Sequence, residues 1–124
     1  MKKVLIIEDE TIISFGYRLQ LERMGFEVIG VARSSEEAER MLAAERPDVI
    51  IMDIYLKGEK TGLDLAQEIH RTDSIPVIFL TASTKTDYVD TIRHMNGCHY
   101  LVKPIDQDQF CEVLDRATRN HVRA

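Results

Sequence analysis

Five short runs rich in Val, Ile and Leu recur along the 124-residue chain, and they constrain its fold more than any other feature. They are Val4–Ile7, Glu27–Val31, Val49–Met52, Val77–Leu80 and Tyr100–Val102. Most are continuous rather than alternating, which suits strands covered on both faces. The stretches between them have helical length and period. Five such units in series predict an α/β fold, a doubly wound five-stranded parallel sheet with five helices on two faces. Right-handed crossovers make the doubly wound arrangement the expected topology.

Local signals sharpen the boundaries. Ser34-Ser35-Glu36-Glu37 ahead of Ala38, Met41 and Leu42 is a helix start, and Pro47 follows that helix. Gly25 is expected to close the first helix, roughly Ile12 to Met24, in a left-handed conformation. The last helix is expected to start near Asp106, with Phe110, Val113, Leu114 and Ala117 on one buried stripe.

Bulk properties narrow the function. The chain has the length of one compact domain, taken as residues 1–124, and 44% apolar residues can build a core for it. No apolar run approaches the ~20 residues that span a bilayer, so no membrane partner is expected. The run after Met1-Lys2-Lys3 is too short for a signal peptide. Cys98 and Cys111 form no zinc pattern and fit a reducing compartment, so a cytoplasmic location is expected. The formal charge of −5 and the lack of a basic stripe argue against direct nucleic-acid binding. The four histidines show no ligand spacing.

In a parallel sheet, chemistry sits beyond the carboxyl ends of the strands. After the first strand come Glu8, Asp9 and Glu10. Asp53 follows the third, Thr81 and Ala82 the fourth, and Lys103 and Pro104 the fifth. Taken singly, an acid there is most often a turn or helix-cap residue, and a lysine a solvated side chain. With strand order 2-1-3-4-5, however, one pocket collects carboxylates, a hydroxyl and an ammonium. Crowded carboxylates call for a hard divalent cation, and Mg²⁺ takes one or two of them plus water and phosphate oxygens. A phosphoryl group arriving at Asp53 would meet the metal, Lys103, the Thr81 hydroxyl and a backbone N–H near Ala82. Those are the elements of phosphoryl transfer to a carboxylate nucleophile.

These residues resemble the receiver domain of two-component response regulators. The likeness runs from about Lys3 to Ala117. It is carried by Glu8-Asp9-Glu10 after "KVLII", Asp53 in "PDVIIMDIYL", Thr81-Ala82 in "PVIFLTAS" and Lys103-Pro104 in "YLVKP". The resemblance implies a phosphorylation-activated switch rather than an enzyme with its own turnover. Asp53 would accept a phosphoryl group from a phosphohistidine on a sensor histidine kinase or phosphotransfer protein, and the domain would catalyse only its own phosphorylation and dephosphorylation. It implies Mg²⁺ held by Asp9, Asp53 and the Tyr55 backbone carbonyl, with Glu8 helping. It further implies phosphoryl contacts from Thr81, Lys103 and the Ala82 N–H, and a switch built from Thr81 and Tyr100. By the same analogy Tyr55 and Ser83 line the approach of hydrolytic water, so slow self-hydrolysis is expected. Glu8 stands where many members carry Asp. The loop Cys98-His99 is one residue shorter than usual, and the acidic residues that pair transcription-factor receivers across the fourth-helix surface are absent.

Other readings remain on the same residues. A flavodoxin-like electron carrier would want a Ser/Thr/Gly-rich phosphate loop where Glu8-Asp9-Glu10 stands. A haloacid-dehalogenase-type phosphatase would want an acid where Tyr55 stands. A degenerate receiver would serve only as a binding module, against which Asp53, Thr81 and Lys103 are all in place. The first helix carries two apolar stripes. Ile13, Tyr17, Leu21 and Met24 are expected to face the sheet, leaving Ile12, Phe15 and Leu19 outward as a homodimer or domain-docking face unless the fifth helix or a loop covers them.

Overall fold

The computed structural model describes residues 1–55, 60–82 and 86–120; Ser83, expected near the water approach, lies outside them. The elements alternate strictly: β1 (Lys3–Ile7), α1 (Thr11–Arg23), β2 (Glu27–Ala32), α2 (Ser35–Ala44), β3 (Val49–Met52), α3 (Gly62–Thr72), β4 (Val77–Thr81), α4 (Thr86–Arg93), β5 (Cys98–Val102) and α5 (Gln107–Asn120). All neighbouring strands pair in parallel in the order β2-β1-β3-β4-β5. The doubly wound α/β sheet read from the sequence is therefore the observed one.

Side-chain alternation builds the two layers. Val4, Ile6, Val49, Ile51, Ile78 and Leu80 face one side, where Tyr17 and Leu21 of α1 and Phe110, Leu114 and Ala117 of α5 cover them. Leu5, Ile7, Ile50, Met52, Val77 and Phe79 face the other, beneath α2, α3 and α4. Successive strand residues point to opposite faces, so a continuous apolar run is what a doubly covered strand requires. The central strands β1, β3 and β4 are accordingly buried almost throughout.

The helix ends follow local chemistry. The Ser34 hydroxyl accepts from the Glu37 N–H at 3.2 Å and caps α2. Thr61 and Asp64 form a reciprocal capping box on α3. Asp106 precedes α5, and its carboxylate accepts from the Gln109 N–H at 3.1 Å. Gly25, at φ +92°, ends α1 as expected. The Phe26 N–H reaches the Leu21 carbonyl and the Gly25 N–H reaches that of Glu22, a Schellman closure.

One boundary differs appreciably from the sequence reading. β5 begins at Cys98 rather than Tyr100, because Cys98 and His99 pair with Val77 and Ile78 of β4. That ladder is invisible in a loop whose residue types are not strand-like. On α1, Ile12, Phe15 and Leu19 are 87%, 59% and 40% exposed, so α5 does not cover them. Among the described residues no helix is long and apolar enough to cross a membrane.

Candidate functional site at the carboxyl edge of the sheet

The strand order sets the site. β1, β3 and β4 lie side by side, and each delivers its last or next residue to the same edge. Glu8 is held at the end of β1 by its N–H donating to the Ala32 carbonyl at 2.9 Å. Asp53 is held at the end of β3 by its N–H on the Ile7 carbonyl at 3.3 Å. Thr81 is the buried last residue of β4, and its carbonyl accepts from the Lys103 N–H at 2.8 Å. Ala82 follows it at the surface.

Lys103 reaches back across β4. Its Nζ lies 3.6 Å from Asp53 Oδ2 and 4.0 Å from Glu8 Oε1. The other Asp53 oxygen, Oδ1, accepts from the Tyr55 N–H at 3.2 Å. Burial works to lower the lysine pKa, but Tyr17, Asp53 and Glu8 together outweigh it and hold the ammonium charged above its ordinary range. The Asp53 carboxylate thus stands between a cation and a backbone donor. A fixed positive charge of this kind suits an incoming dianion.

Glu8 is the most perturbed acid here. Its side chain is only 3% exposed, and burial pushes its carboxyl up to about 7. The Glu10 N–H, 3.1 Å from Oε2, opposes the rise, while contact with the Asp9 carboxyl and the charge of Asp53 add to it. Among the described residues, no group of three or more His, Cys, Asp or Glu side chains converges as a metal cage. The donor chemistry nevertheless suits Mg²⁺, which asks for one or two carboxylates and fills its remaining positions with water and phosphate oxygens. Asp9, Asp53 and the Tyr55 carbonyl could ligate it, and the charge of Asp53, which adds to the rise that burial causes at Glu8, is what a divalent cation offsets.

Two further groups surround the expected switch. The Arg93 guanidinium donates to the Tyr100 hydroxyl at 3.2 Å and lies 6.0 Å from the ring centroid, tying β5 to α4. The Tyr55 ring meets Tyr88 of α4 edge-on, with centroids 5.7 Å apart.

Sequence reasoning missed several of these residues. Helical spacing assigns Tyr17 to the core, and its ring does pack edge-on against Phe110 at 6.5 Å. Its hydroxyl end, however, interacts with Lys103. The available signal was a phenol inside an otherwise aliphatic stripe. No local sequence signal marks Gly62. A Cβ there would stand 2.3 Å from the Asp53 carbonyl oxygen, and its N–H donates to the Ile54 carbonyl at 2.6 Å. The Cys98 thiol is pushed up to about 12 by burial, which makes it a poor nucleophile. A surface hollow of about 480 Å³ lies at the opposite end of the sheet, lined by His70, Met95 and Gly97. Its one carboxylate, Asp73, is engaged by Arg46 at 2.8 Å.

Comparisons with known proteins agree with this fold. The sequence model of the response regulator receiver domain matches residues 4–115. The chain is similar to the transcriptional regulatory protein PdtaR of Mycobacterium tuberculosis, 32% identical over 116 residues, covering 94% of this chain and 56% of the relative. It is also similar to the transcriptional regulatory protein AfsQ1 of Streptomyces coelicolor, 36% identical over 125 residues, covering 99% and 52%. The chain therefore spans about half the length of these relatives. The solved signal receiver domain of a modulated diguanylate cyclase from Desulfovibrio desulfuricans superposes with a TM-score of 0.87 at 32% identity, covering 97% of this chain and 95% of that one.

Proposed function

The chain belongs to the response regulator receiver domain family, and on that footing we propose that residues 1–124 act as one phosphorylation switch with Asp53 as the phosphoacceptor. The observation that carries this reading is the Asp53 carboxylate at the end of β3, facing the Lys103 ammonium at 3.6 Å. An Asp53 carboxylate oxygen attacks the phosphorus of a phosphohistidine on a sensor kinase or phosphotransfer protein. The P–N bond breaks, its electron pair stays on the imidazole nitrogen, and an acyl phosphate forms on Asp53.

Asp9, Asp53 and the Tyr55 carbonyl, with Glu8 beside them, would hold Mg²⁺, which would supply charge neutralisation for the phosphoryl oxygens. Lys103 supplies the second positive charge. The Thr81 hydroxyl and the Ala82 N–H contact the phosphoryl group, and the move of Thr81 toward it lets Tyr100 turn inward from its place against Arg93. The chain catalyses only its own phosphorylation and dephosphorylation, and it works in the cytoplasm. Partners beyond the phosphoryl donor dock on the exposed face of Ile12, Phe15 and Leu19, either a second copy or another domain, since a cluster of this kind marks contact surfaces.

Incubation with Mg²⁺ and a small acyl-phosphate donor tests the reading. One phosphoryl group should appear by intact mass, and Asp53→Asn should take up none. Full labelling of Asp53→Asn would overturn the assignment.

A further inference from the structure

The mouth of the carboxyl edge is flanked by two tyrosines. Tyr55 comes two residues after Asp53, and its N–H lies 3.2 Å from Asp53 Oδ1, so this residue starts beside the carboxylate. Its side chain stays half in water, 49% exposed. A surface ring of that exposure ordinarily samples several rotamers. Here it has a partner. Tyr88, half-buried against the core beneath α4, meets it edge to face with centroids 5.7 Å apart and planes at 90°.

The topology gives this contact its place. β3 and β4 are neighbours, with Met52 opposite Phe79, so Asp53 and Thr81 end adjacent strands. Tyr55 follows the end of β3 and Tyr88 the end of β4. The ring pair therefore joins the segment after β3 to the start of α4. A bulky ring two residues past Asp53 can obstruct water on its way to a phosphorus on that carboxylate. That hydrolysis forms a bond from the water oxygen to phosphorus and breaks the acyl P–O bond. The electron pair returns to the Asp53 carboxylate, and the water proton goes to solvent.

We propose that Tyr88 is a positioning residue for the acyl-phosphate lifetime: its ring edge holds the Tyr55 ring over the Asp53 mouth, so the stability of the phosphorylated form depends on where α4 sits. The proposal deepens the phosphoacceptor reading and rests on it. An edge-to-face aromatic pair biases one ring placement by about two- to tenfold, and the lifetime should carry an effect of that order.

The experiment is a set of decay half-lives of the phosphorylated protein at fixed Mg²⁺, for the wild type, Tyr88→Leu, Tyr88→Phe, Tyr55→Ala and Tyr55→Ala with Tyr88→Leu. Leucine keeps an apolar filler in the core but has no ring edge, while phenylalanine keeps the ring. Tyr88→Leu should shorten the half-life about two- to tenfold, and Tyr88→Phe should preserve it. Tyr88→Leu should add nothing once Tyr55 is alanine. Three results would overturn the proposal: an unchanged half-life in Tyr88→Leu, a Tyr88→Phe variant as short-lived as Tyr88→Leu, or additive shortening in the double variant. A wild type that takes no phosphoryl group on Asp53 would instead remove the phosphoacceptor reading and this inference with it.

Discussion

Lys103 Nζ lies 3.6 Å from Asp53 Oδ2. This ion pair crosses β4, since Lys103 follows β5 and Asp53 follows β3. The lysine is aimed before any phosphate arrives, and it needs no large rearrangement to meet a new anion on the same carboxylate. Lys103→Met keeps most of the stem and removes the charge. Phosphorylation from a small acyl-phosphate donor should slow by roughly 100- to 1000-fold, the usual effect of losing one preorganised donor. Lys103→Arg should not restore the rate, because a planar fork does not replace a compact ammonium. A wild-type rate in Lys103→Met, followed by intact mass, would separate the ion pair from the chemistry.

Glu8 makes stability depend on pH. Its folded carboxyl titrates at about 7, against 4.5 as the ordinary value. Between those values the folded state keeps a proton that the unfolded state has lost. Stability therefore falls as pH rises through that window. Glu8→Gln should flatten this slope and melt higher than the wild type at pH 8 without divalent cation, by a difference of up to about 3 kcal/mol. Melting curves from pH 5 to 8 in chelator provide the check. A wild-type protein whose stability rises across the window would contradict the buried-acid account.

Gly62 and Gly16 should respond in opposite ways to alanine. At Gly62 a Cβ would meet the Asp53 carbonyl oxygen at 2.3 Å and the Ile54 Cα at 3.0 Å, and backbone cannot yield as a side chain can. Gly62→Ala should cost about 2–4 kcal/mol and also slow phosphorylation, since the displaced carbonyl belongs to Asp53. At Gly16, within α1, nothing lies within 4 Å. Gly16→Ala should stabilise the helix by up to about 1 kcal/mol. Denaturant midpoints of both variants would decide whether the close approach at Gly62 is rigid.

The outward stripe of α1 can be tested without harming the core. Phe15 is 59% exposed and Leu19 40%, so Phe15→Glu with Leu19→Glu should leave the fold and Asp53 phosphorylation intact. The pair should abolish self-association or docking measured by sedimentation or light scattering. Unchanged association with a normal melting curve would remove this face as an interface.

Much of the architecture was legible because its signals are local. The unbroken apolar runs of β1, β3 and β4 announce strands covered twice. Ser34, Gly25 and Asp106 mark helix ends through bonds to residues a few positions away. The two stripes of α1 separate by helical period alone, and Tyr17 and Leu21 turn inward while Ile12 and Phe15 stay out. Where signals were not local, the reading failed. Cys98 and His99 join β5 only because β4 offers them a ladder, and Gly62 matters only because the Asp53 carbonyl folds against it.

The sequence by itself determined the strands, their covered faces and the polar residues standing at their ends, since periodicity and capping are written in near neighbours. Only the tertiary structure decided that Lys103 reaches past β4 to Asp53 and Glu8, that Tyr88 finds Tyr55, and that Glu8 is buried deeply enough to hold its proton near neutrality. Those outcomes depend on strand order, on rotamers and on how much water is excluded between residues distant along the chain. No local pattern encodes such distances or such desolvation.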